Sequence, residues 1–395
     1  LARAHKNMSC SILATNTFND MTEDDKKIRF ENSSYEIKLC ESDEPADKMF
    51  WLINEILDIK PARILLLNYN QDSVVISSAA SFVGLTDVFF YHHADYNLCL
   101  GVHLAGAKHL DPHNIGFFNC RENEGLQKNA YFPLCVRDQF SIADISLANV
   151  DENLTTCSSA SFHKFANFYL YPYSELIVDR LIARPGSHIH IGKIPISNYE
   201  DIIKKIVGNN IDPDRFKLVE WVPNLWKAFI EYKVDLFISS FPHSSGRTSI
   251  EAMGAGLPIL FHDGYLTRFH VGKDIVYPDV LSWKTPEDFR KIIANVSREQ
   301  LESQSKLSRE FYLNNYALND DQLRDELDRI AVDQSSLIPP PLLPHRPDNL
   351  DRLIHYTHLS HLNAINQSNA TAHSFMQTRS WRFTHLFRLI IEIGR

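Results

Sequence analysis

The chain has 395 residues, of which 44% are hydrophobic and 11% aromatic, and its formal net charge at pH 7 is −9. This composition is typical of a folded protein that is long enough for two domains. The acidic balance argues against a nucleic-acid partner, which would need clustered Lys and Arg. No run of about 18 apolar residues occurs, so the sequence predicts no membrane-spanning helix.

Six cysteines are scattered along the chain without a Cys-x-x-Cys pair, and no secretory signal is recognisable. This pattern predicts reduced, mostly buried thiols in a cytoplasmic protein, and the cysteine spacing does not predict a zinc site. Because the first residue is Leu rather than Met, we also expect the sequence to be a fragment of something longer.

Residues 1–150 are predicted to form one Rossmann-like α/β unit. Strand-length apolar runs alternate there with the helical stretches Pro45–Ile59 and Ser73–Val83. Alternation of this kind predicts a parallel sheet with crossover helices. The predicted strands are Ser9–Thr15, Tyr35–Cys40, Ala62–Asn68, Asp87–His92 and His113–Asn119.

Polar residues follow the strand that ends at His92. Ligands of open α/β sheets bind at the carboxyl ends of strands, so His93 and Asp95 are candidate catalytic residues that would accept a proton from an acceptor hydroxyl or amide. The structural alternative is that His92 and His93 are hydrogen-bonded packing residues and that Asp95 caps the next helix. Three further histidines fit no single helical face and are interpreted as structural rather than metal-binding: His103, His109 and His113.

Residues 151–333 are predicted to form a second Rossmann-like unit, and Val234–Leu260 is its most informative stretch. A short apolar strand begins at Asp235, a loop rich in Pro, Ser and Gly follows, and a helix begins near Thr248. A small-residue loop at the carboxyl end of a parallel strand leaves backbone N–H groups at a helix N-terminus, where a phosphate can be held. The alternative is a capping box formed by Thr248 and Glu251.

The same stretch resembles the nucleotide-sugar loop of GT-B glycosyltransferases, with D-x-F-x-x-[ST]-x-P, G-x-[ST]-[ST], [DE]-A and G-x-P in order. It is most similar to the family that holds the protein O-GlcNAc transferases and bacterial cytoplasmic N-glycosyltransferases. The resemblance implies that Glu251 binds the ribose hydroxyls of a UDP-sugar. It also implies that the diphosphate is held around Ser244, Ser245, Gly246, Arg247, Thr248 and Ser249, although Arg247 stands where the family more usually has His or Thr.

The resemblance extends to four other donor-binding positions in residues 155–295. Lys164 follows the first strand of the second unit, where the family delivers a Lys or Arg to the diphosphate; this lysine would neutralise the leaving group, the alternative being a solvated loop lysine. Gly192 would allow close backbone approach to the donor. Trp221 or Val222 would form the wall of a uracil pocket. Trp226 and His188 are interpreted as core residues, and Asp212-Pro-Asp214 as a turn.

Residues 334–348 are predicted to be a Pro-rich linker, and residues 349–395 a helical tail rich in basic and aromatic residues. The segment that begins at Thr378 is similar to the S-W-R-x-T-x-P-L-R tail of bacterial polysaccharide-assembly enzymes, with His385 in place of Pro. Three interpretations stay open: the tail lies on an anionic bilayer surface, or docks on a partner enzyme, or docks on its own catalytic domain.

These patterns and resemblances predict a GT-B-like fold, in which two Rossmann-type domains face a cleft, followed by the helical tail. The implied activity is metal-independent, inverting transfer of a hexosyl or N-acetylhexosaminyl group from a UDP-sugar, without a cofactor. The implied acceptor is a glycan, a lipid-linked sugar or a protein, and the setting is bacterial surface-glycan assembly in the cytoplasm. Peripheral contact with the inner face of the membrane is one of the interpretations that the tail leaves open. Three alternatives remain: a sugar-nucleotide 2-epimerase, a non-catalytic nucleotide-binding scaffold, and a transferase module of a longer chain.

Overall fold

The computed structural model describes residues 9–17, 36–93, 99–139, 153–165, 169, 171–264 and 272–343. The first part of the chain forms β1 (Ser11–Ala14), β2 (Glu36–Leu39), α1 (Pro45–Ile59), β3 (Arg63–Leu66), α2 (Ser73–Ala80), β4 (Asp87–Tyr91), β5 (Lys108–Asp111), α3 (Asn114–Glu122) and β6 (Ala130–Tyr131). Strands β3-β4-β5-β6 form a parallel sheet in that order, and β1 and β2 pair separately, also in parallel.

The second part of the chain forms a larger parallel sheet with the order β12-β11-β10-β7-β8-β9. Its elements in chain order are β7 (Thr156–Ser159), α4 (Tyr173–Ala183), β8 (His188–Ile191), α5 (Ile196–Gly208), β9 (Phe216–Val219), α6 (Leu225–Glu231), β10 (Leu236–Ile238), α7 (Gly246–Gly254), β11 (Ile259–His262), β12 (Leu281–Trp283), α8 (Pro286–Asn295), α9 (Arg298–Asn315) and α10 (Asp320–Ala331). The predicted α/β alternation is confirmed, with a parallel sheet of four or more strands in each part of the chain, but β1 and β2 form a separate parallel pair instead of joining the first sheet.

Local sequence explains why these elements begin where they do. The three residues of β10 and the four of β11 are buried, as expected of central strands covered on both faces. Helix α8 has Pro286 in its first turn, and Thr285 and Asp288 form a reciprocal capping box at its start. These local signals account for the start of this helix.

One predicted strand is wrong. Residues His113–Asn119 form most of α3, and the strand that precedes them, β5, was not predicted. A short apolar run fits a buried helix as well as a strand, which explains the first error. The second arises because the buried positions of β5 include His109 and Asp111 rather than only apolar side chains.

The last helix crosses back to the first sheet. Leu323, Leu327 and Ile330 of α10 pack in one cluster with residues of β4, β5 and β6, and Arg63 pairs with Asp328 at 2.5 Å. Helix α10 of the predicted second unit, residues 151–333, thus packs on the first sheet, and the bounds of the two units stay a prediction.

The described part of the predicted linker lies on the protein rather than apart from it. The backbone N–H of Ser336 donates to the carboxylate of Glu326 at 2.8 Å, and that of Leu343 donates to Asp274 at 2.6 Å. Residues 344–348 and the predicted tail, residues 349–395, lie outside the described residues. The bilayer, partner and self-docking interpretations of the tail accordingly stay predictions.

Candidate active site

The carboxyl ends of the neighbouring strands β7 and β10 bring two predicted donor-binding segments together. Lys164 lies in a short 3₁₀ turn after β7, and its Nζ donates to the carbonyl of Ser244 at 3.3 Å. The carbonyl of Lys164 in turn accepts from the backbone N–H of His243 at 3.4 Å. The lysine is thus held against the serine–glycine segment, residues 243–249, which leads into α7.

The start of α7 leaves backbone donors open. Ser245 is the N-cap, but the helix has no hydrogen bond from a capping side chain among the described residues. The Oγ of Ser245 instead lies 3.0 Å from that of Ser240, which donates to the carbonyl of His243 at 2.8 Å. Because first-turn amides have no intrahelical acceptor, the N–H groups of Gly246, Arg247 and Thr248 are available to an anion at the positive end of the helix dipole.

The predicted capping box of Thr248 and Glu251 is wrong, because the helix begins earlier, at Gly246. Thr248 instead donates its Oγ1 to the carbonyl of Ser159, the last residue of β7, at 3.0 Å. Glu251 forms an ion pair with Arg247 at 2.8 Å. The Arg247 side chain is 72% exposed and that of Glu251 only 13%. The guanidinium therefore lies in solvent, whereas the carboxylate lies against the protein surface.

Ser249 differs from the other predicted diphosphate residues. It is completely buried, its Oγ lies 3.5 Å from that of Ser239 and its amide donates to the carbonyl of Ser245. Both polar groups are therefore engaged within the protein, and the structure does not bring Ser249 to the open end of the helix. Ser249 lies on the buried side of α7 together with Ala252 and Met253, which follow it by three and four residues.

Electrostatics favour an anion beside Lys164. Burial lowers the pKa of the Lys164 amine, because its charged form loses solvation. Within the described part of the chain, no carboxylate oxygen lies within 4.0 Å of this amine. A bound anion would restore the stability of the charged form, which an ordinary solvated surface lysine does not need.

Gly192 and Trp221 are placed differently from one another. Gly192 has φ +148°, and a Cβ there would lie 2.2 Å from the carbonyl oxygen of Ala160, so this glycine is required by the approach of two backbone segments. The Trp221 side chain is 66% exposed just beyond β9, whereas Val222 is partly buried against the core. Trp226 is 1% exposed, which confirms its interpretation as a core residue.

On the first sheet, His93 is exposed immediately after β4, and its backbone N–H donates to the carbonyl of Tyr91 at 2.9 Å. Asp95 lies outside the described residues. His92 is 3% exposed and its Nδ1 lies 3.2 Å from Asp111, so the structural alternative is confirmed for this histidine. His188 is likewise a buried strand residue, as predicted.

Sequence reasoning missed Ser240 and Ser159, which fix the serine–glycine segment through a hydroxyl and a carbonyl. Ser240 occupies the [ST] position of the quoted motif, so that position was the available signal. Ser159 acts through its backbone and offers no side-chain signal. The described helices include none with the length and apolarity needed to cross a membrane.

No family model matches the sequence, and no curated protein matches it by sequence. The structure, however, is similar to a glycosyltransferase from Rickettsia africae ESF-5, with 11% identity and a TM-score of 0.62 over 82% of this chain and 90% of that one. It is similar to Anabaena HepE in complex with UDP, with 13% identity and a TM-score of 0.57 over 81% and 99% of the two chains. A third similar structure is the N-terminal domain of Candida albicans trehalose-6-phosphate phosphatase, with 10% identity and a TM-score of 0.58 over 82% and 89%.

At these identities the likeness shows the fold alone, because one fold supports several activities. The two larger parallel sheets with their flanking helices are the architecture expected of the GT-B fold. The structural similarity to the glycosyltransferase from Rickettsia africae and to HepE extends over more than 80% of this chain. The chain therefore has the GT-B fold.

Proposed function

We propose that this protein is a glycosyltransferase that transfers a sugar from a UDP-sugar donor. The observation that carries the proposal is the convergence of Lys164 with the uncapped first turn of α7 at one edge of the second sheet. A half-buried ammonium group and first-turn backbone amides that have no acceptor among the described residues form a site for a diphosphate. The similarity to a UDP-bound GT-B structure supports the nucleotide class.

The chemical role of this site is to stabilise the leaving group. When the bond between the sugar and the diphosphate breaks, negative charge develops on the β-phosphate of UDP. The amides of Gly246, Arg247 and Thr248 and the Lys164 amine would meet that charge without reorganising, because the serine–glycine segment already holds them. These groups supply the countercharge, so the proposed transfer needs no metal ion at the diphosphate.

Arg247 and Glu251 would bind two different parts of the donor, the diphosphate and the ribose. In the structure the two side chains pair at 2.8 Å, and Arg247 is the exposed partner. A diphosphate would attract the guanidinium and leave the carboxylate of Glu251 to accept hydrogen bonds from the ribose hydroxyls. The exposed Trp221 and its neighbour Val222 would contact the uracil ring.

The acceptor would bind on the side of the first sheet. His93 is exposed at the carboxyl end of β4 and is the proposed general base, together with Asp95 as the other candidate. Direct attack on the anomeric carbon by the activated acceptor would invert its configuration. A glycan, a lipid-linked sugar or a protein side chain would serve as acceptor, and we propose assembly of a bacterial surface glycan as the setting.

The proposal is tested by UDP binding measured by calorimetry, followed by hydrolysis of a panel of UDP-hexoses and UDP-N-acetylhexosamines. Lys164→Ala and Glu251→Ala are each expected to weaken UDP binding at least tenfold, or about 1.4 kcal/mol. Added Mg²⁺ is expected to leave the UDP affinity unchanged. Lys306→Ala and Glu310→Ala, exposed positions on α9, are charge-matched controls that should bind UDP as the wild type does.

Unchanged UDP affinity in both site variants would show that the donor site is assigned wrongly. UDP binding without hydrolysis of any donor, and without transfer to cell-derived acceptors, would favour the non-catalytic scaffold. Conversion of a UDP-sugar into its 2-epimer in the absence of an acceptor would identify an epimerase instead.

A further inference from the structure

Four side chains with different metal-binding chemistry meet in the interior of the first unit. They are His92, which follows β4, His109 and Asp111 on β5, and Cys120 on α3. His92 and His109 are 3% and 6% exposed and Asp111 is completely buried, as is Cys120. None of them belongs to the proposed donor site, which lies on the other sheet.

The strand register brings these side chains to one face. Phe90 of β4 is paired with His109 of β5 and Tyr91 with Leu110, so His92 stands opposite Asp111 one step further along. Residues two apart on a strand share a face, which places both histidines and the aspartate on the same side of the sheet. Helix α3 then brings Cys120 over that side.

The distances between the four donor atoms match a tetrahedral site. Asp111 Oδ1 lies 3.2 Å from His92 Nδ1 and 2.9 Å from His109 Nε2. Cys120 Sγ lies 3.5 Å from Asp111 Oδ1, 3.5 Å from His92 Nδ1 and 3.6 Å from His109 Nε2. Tetrahedral Zn²⁺, with bonds of about 2.0 Å to N or O and about 2.3 Å to S, holds N and O ligands about 3.3 Å apart and sulfur about 3.5 Å from them.

Surrounding hydrogen bonds orient the carboxylate. Asn129 donates its Nδ2 to the second oxygen of Asp111 at 2.6 Å, which leaves Oδ1 to face the other three donor atoms. Arg121 Nε donates to Asn129 Oδ1 at 2.6 Å and so fixes the amide in that orientation. Ligating carboxylates are commonly held by such outer partners.

Charge balance favours a divalent ion at this position. A buried carboxylate needs a paired charge or a metal, and within the described part of the chain Asp111 has His92, His109, Cys120 and Asn129 as hydrogen-bond partners and no Lys or Arg. With Cys120 as thiolate and Asp111 as carboxylate, two negative charges balance one divalent cation, and the filled site is neutral. Binding would release the thiol proton of Cys120 to solvent.

We propose that His92 Nδ1, His109 Nε2, Asp111 Oδ1 and Cys120 Sγ bind one Zn²⁺ ion. A mixed set of imidazole, carboxylate and thiolate donors suits Zn²⁺ better than Mg²⁺ or Ca²⁺, which prefer oxygen. Four protein ligands leave no coordination position for a substrate, so the ion is structural. It joins β4, β5 and α3 and fixes the strand end that carries His93.

The test uses the full chain, expressed in zinc-supplemented medium and purified without chelator. Elemental analysis is expected to find about one zinc per chain. Removal of this zinc by a strong chelator should lower the midpoint of thermal unfolding of the protein. Replacement by Co²⁺ is expected to give a thiolate-to-cobalt charge-transfer band and the intense visible absorption of a four-coordinate ion. Cys120→Ser should lose the charge-transfer band, whereas Cys157→Ser, a buried cysteine of β7, should keep it.

Wild-type protein that contains no zinc after zinc-replete expression, and shows no charge-transfer band with Co²⁺, would overturn the proposal and leave a buried hydrogen-bond network. Because this readout is made on the wild type, it does not depend on whether a variant folds. An unchanged band in Cys120→Ser would exclude Cys120 as a ligand. None of these results depends on UDP binding, so this proposal and the proposed function fail independently.

Discussion

Strands β5 and β8 carry comparable polar pairs in different surroundings. On β5, His109 and Asp111 share a buried face with the thiol of Cys120. On β8, His188 and His190 share a buried face with the hydroxyl of Tyr173, which lies 3.0 Å from His188 Nε2 and 2.8 Å from His190 Nδ1. Buried histidines occur in both places, so they do not by themselves indicate a metal site. The carboxylate and thiol beside His109 make a candidate metal site, whereas the Tyr173 hydroxyl between His188 and His190 makes a hydrogen-bonded core.

The largest expected effect lies at the end of β8, where Gly192 directly follows the strand and its backbone packs against the carbonyl of Ala160. Gly192→Ala is expected to lower the free energy of unfolding by about 4 kcal/mol, since overpacking and an unfavourable backbone conformation each cost about 1–3 kcal/mol. Urea denaturation measures the effect. Gly208→Ala is the matched control, because a Cβ at Gly208 meets nothing within 4 Å and should not destabilise the protein.

Acid should lower the stability of the folded protein through His188 and His190 of β8. Burial lowers the pKa of His190 from 6.5 to about 4, and also lowers that of His188. The folded state therefore binds fewer protons than the unfolded state, and stability is lost as the pH falls from 6.5 towards 4. The expected loss from His190 is about 3 kcal/mol, measured by urea denaturation across this range. A His190→Leu variant should show a flatter profile, and His103→Leu, at an exposed position, should not.

Removing the hydroxyl between the β8 histidines should have a smaller effect. Tyr173→Phe is expected to cost about 2 kcal/mol, because two buried ring nitrogens lose their partner. The loss should be the same with and without chelator if the β8 pair binds no metal. Tyr199→Phe, a partly buried tyrosine of α5, is the control, and an equal loss in both variants would contradict this role of Tyr173.

The smallest expected effect concerns Lys164 and alkaline pH. Burial lowers the pKa of this amine below its ordinary value of 10.5, and a bound diphosphate would raise it again. UDP affinity should therefore fall as the pH rises through the lowered pKa, by up to about tenfold, or 1.4 kcal/mol. Lys164→Arg should remove this pH dependence, because arginine stays charged. A wild-type affinity that does not change up to pH 10 would contradict the assignment.

Sequence patterns predicted the α/β alternation because apolar strand runs and helix signals are local. Helix Pro45–Ile59 was predicted at its observed bounds. The pattern failed at β5, where buried His109 and Asp111 conceal the apolar period of a strand. The start of α7 was also misplaced, because Ser245 takes the N-cap position without forming a side-chain cap.

For the candidate site, the motif identified the serine–glycine segment, but only the fold showed that Lys164 contacts it from 80 residues away. Spacing along the chain likewise could not group His92 with Cys120, since sheet register and the return of α3 bring them together. The likeness to protein O-GlcNAc transferases and the resemblance of the tail stay predictions.

The return of α10 to the first sheet restricts how the two units can move. The chain passes between them once before β7 and once between α9 and α10, and Val136 is held to α9 by Tyr312 and Tyr316 near the first passage. Two bodies joined at two points rotate most easily about the line through both points. We therefore expect the two units to open by rotation about a single hinge axis rather than by twisting about a single linker. The hydrogen bond from Asn114 to the carbonyl of Asp274 would have to break in this opening.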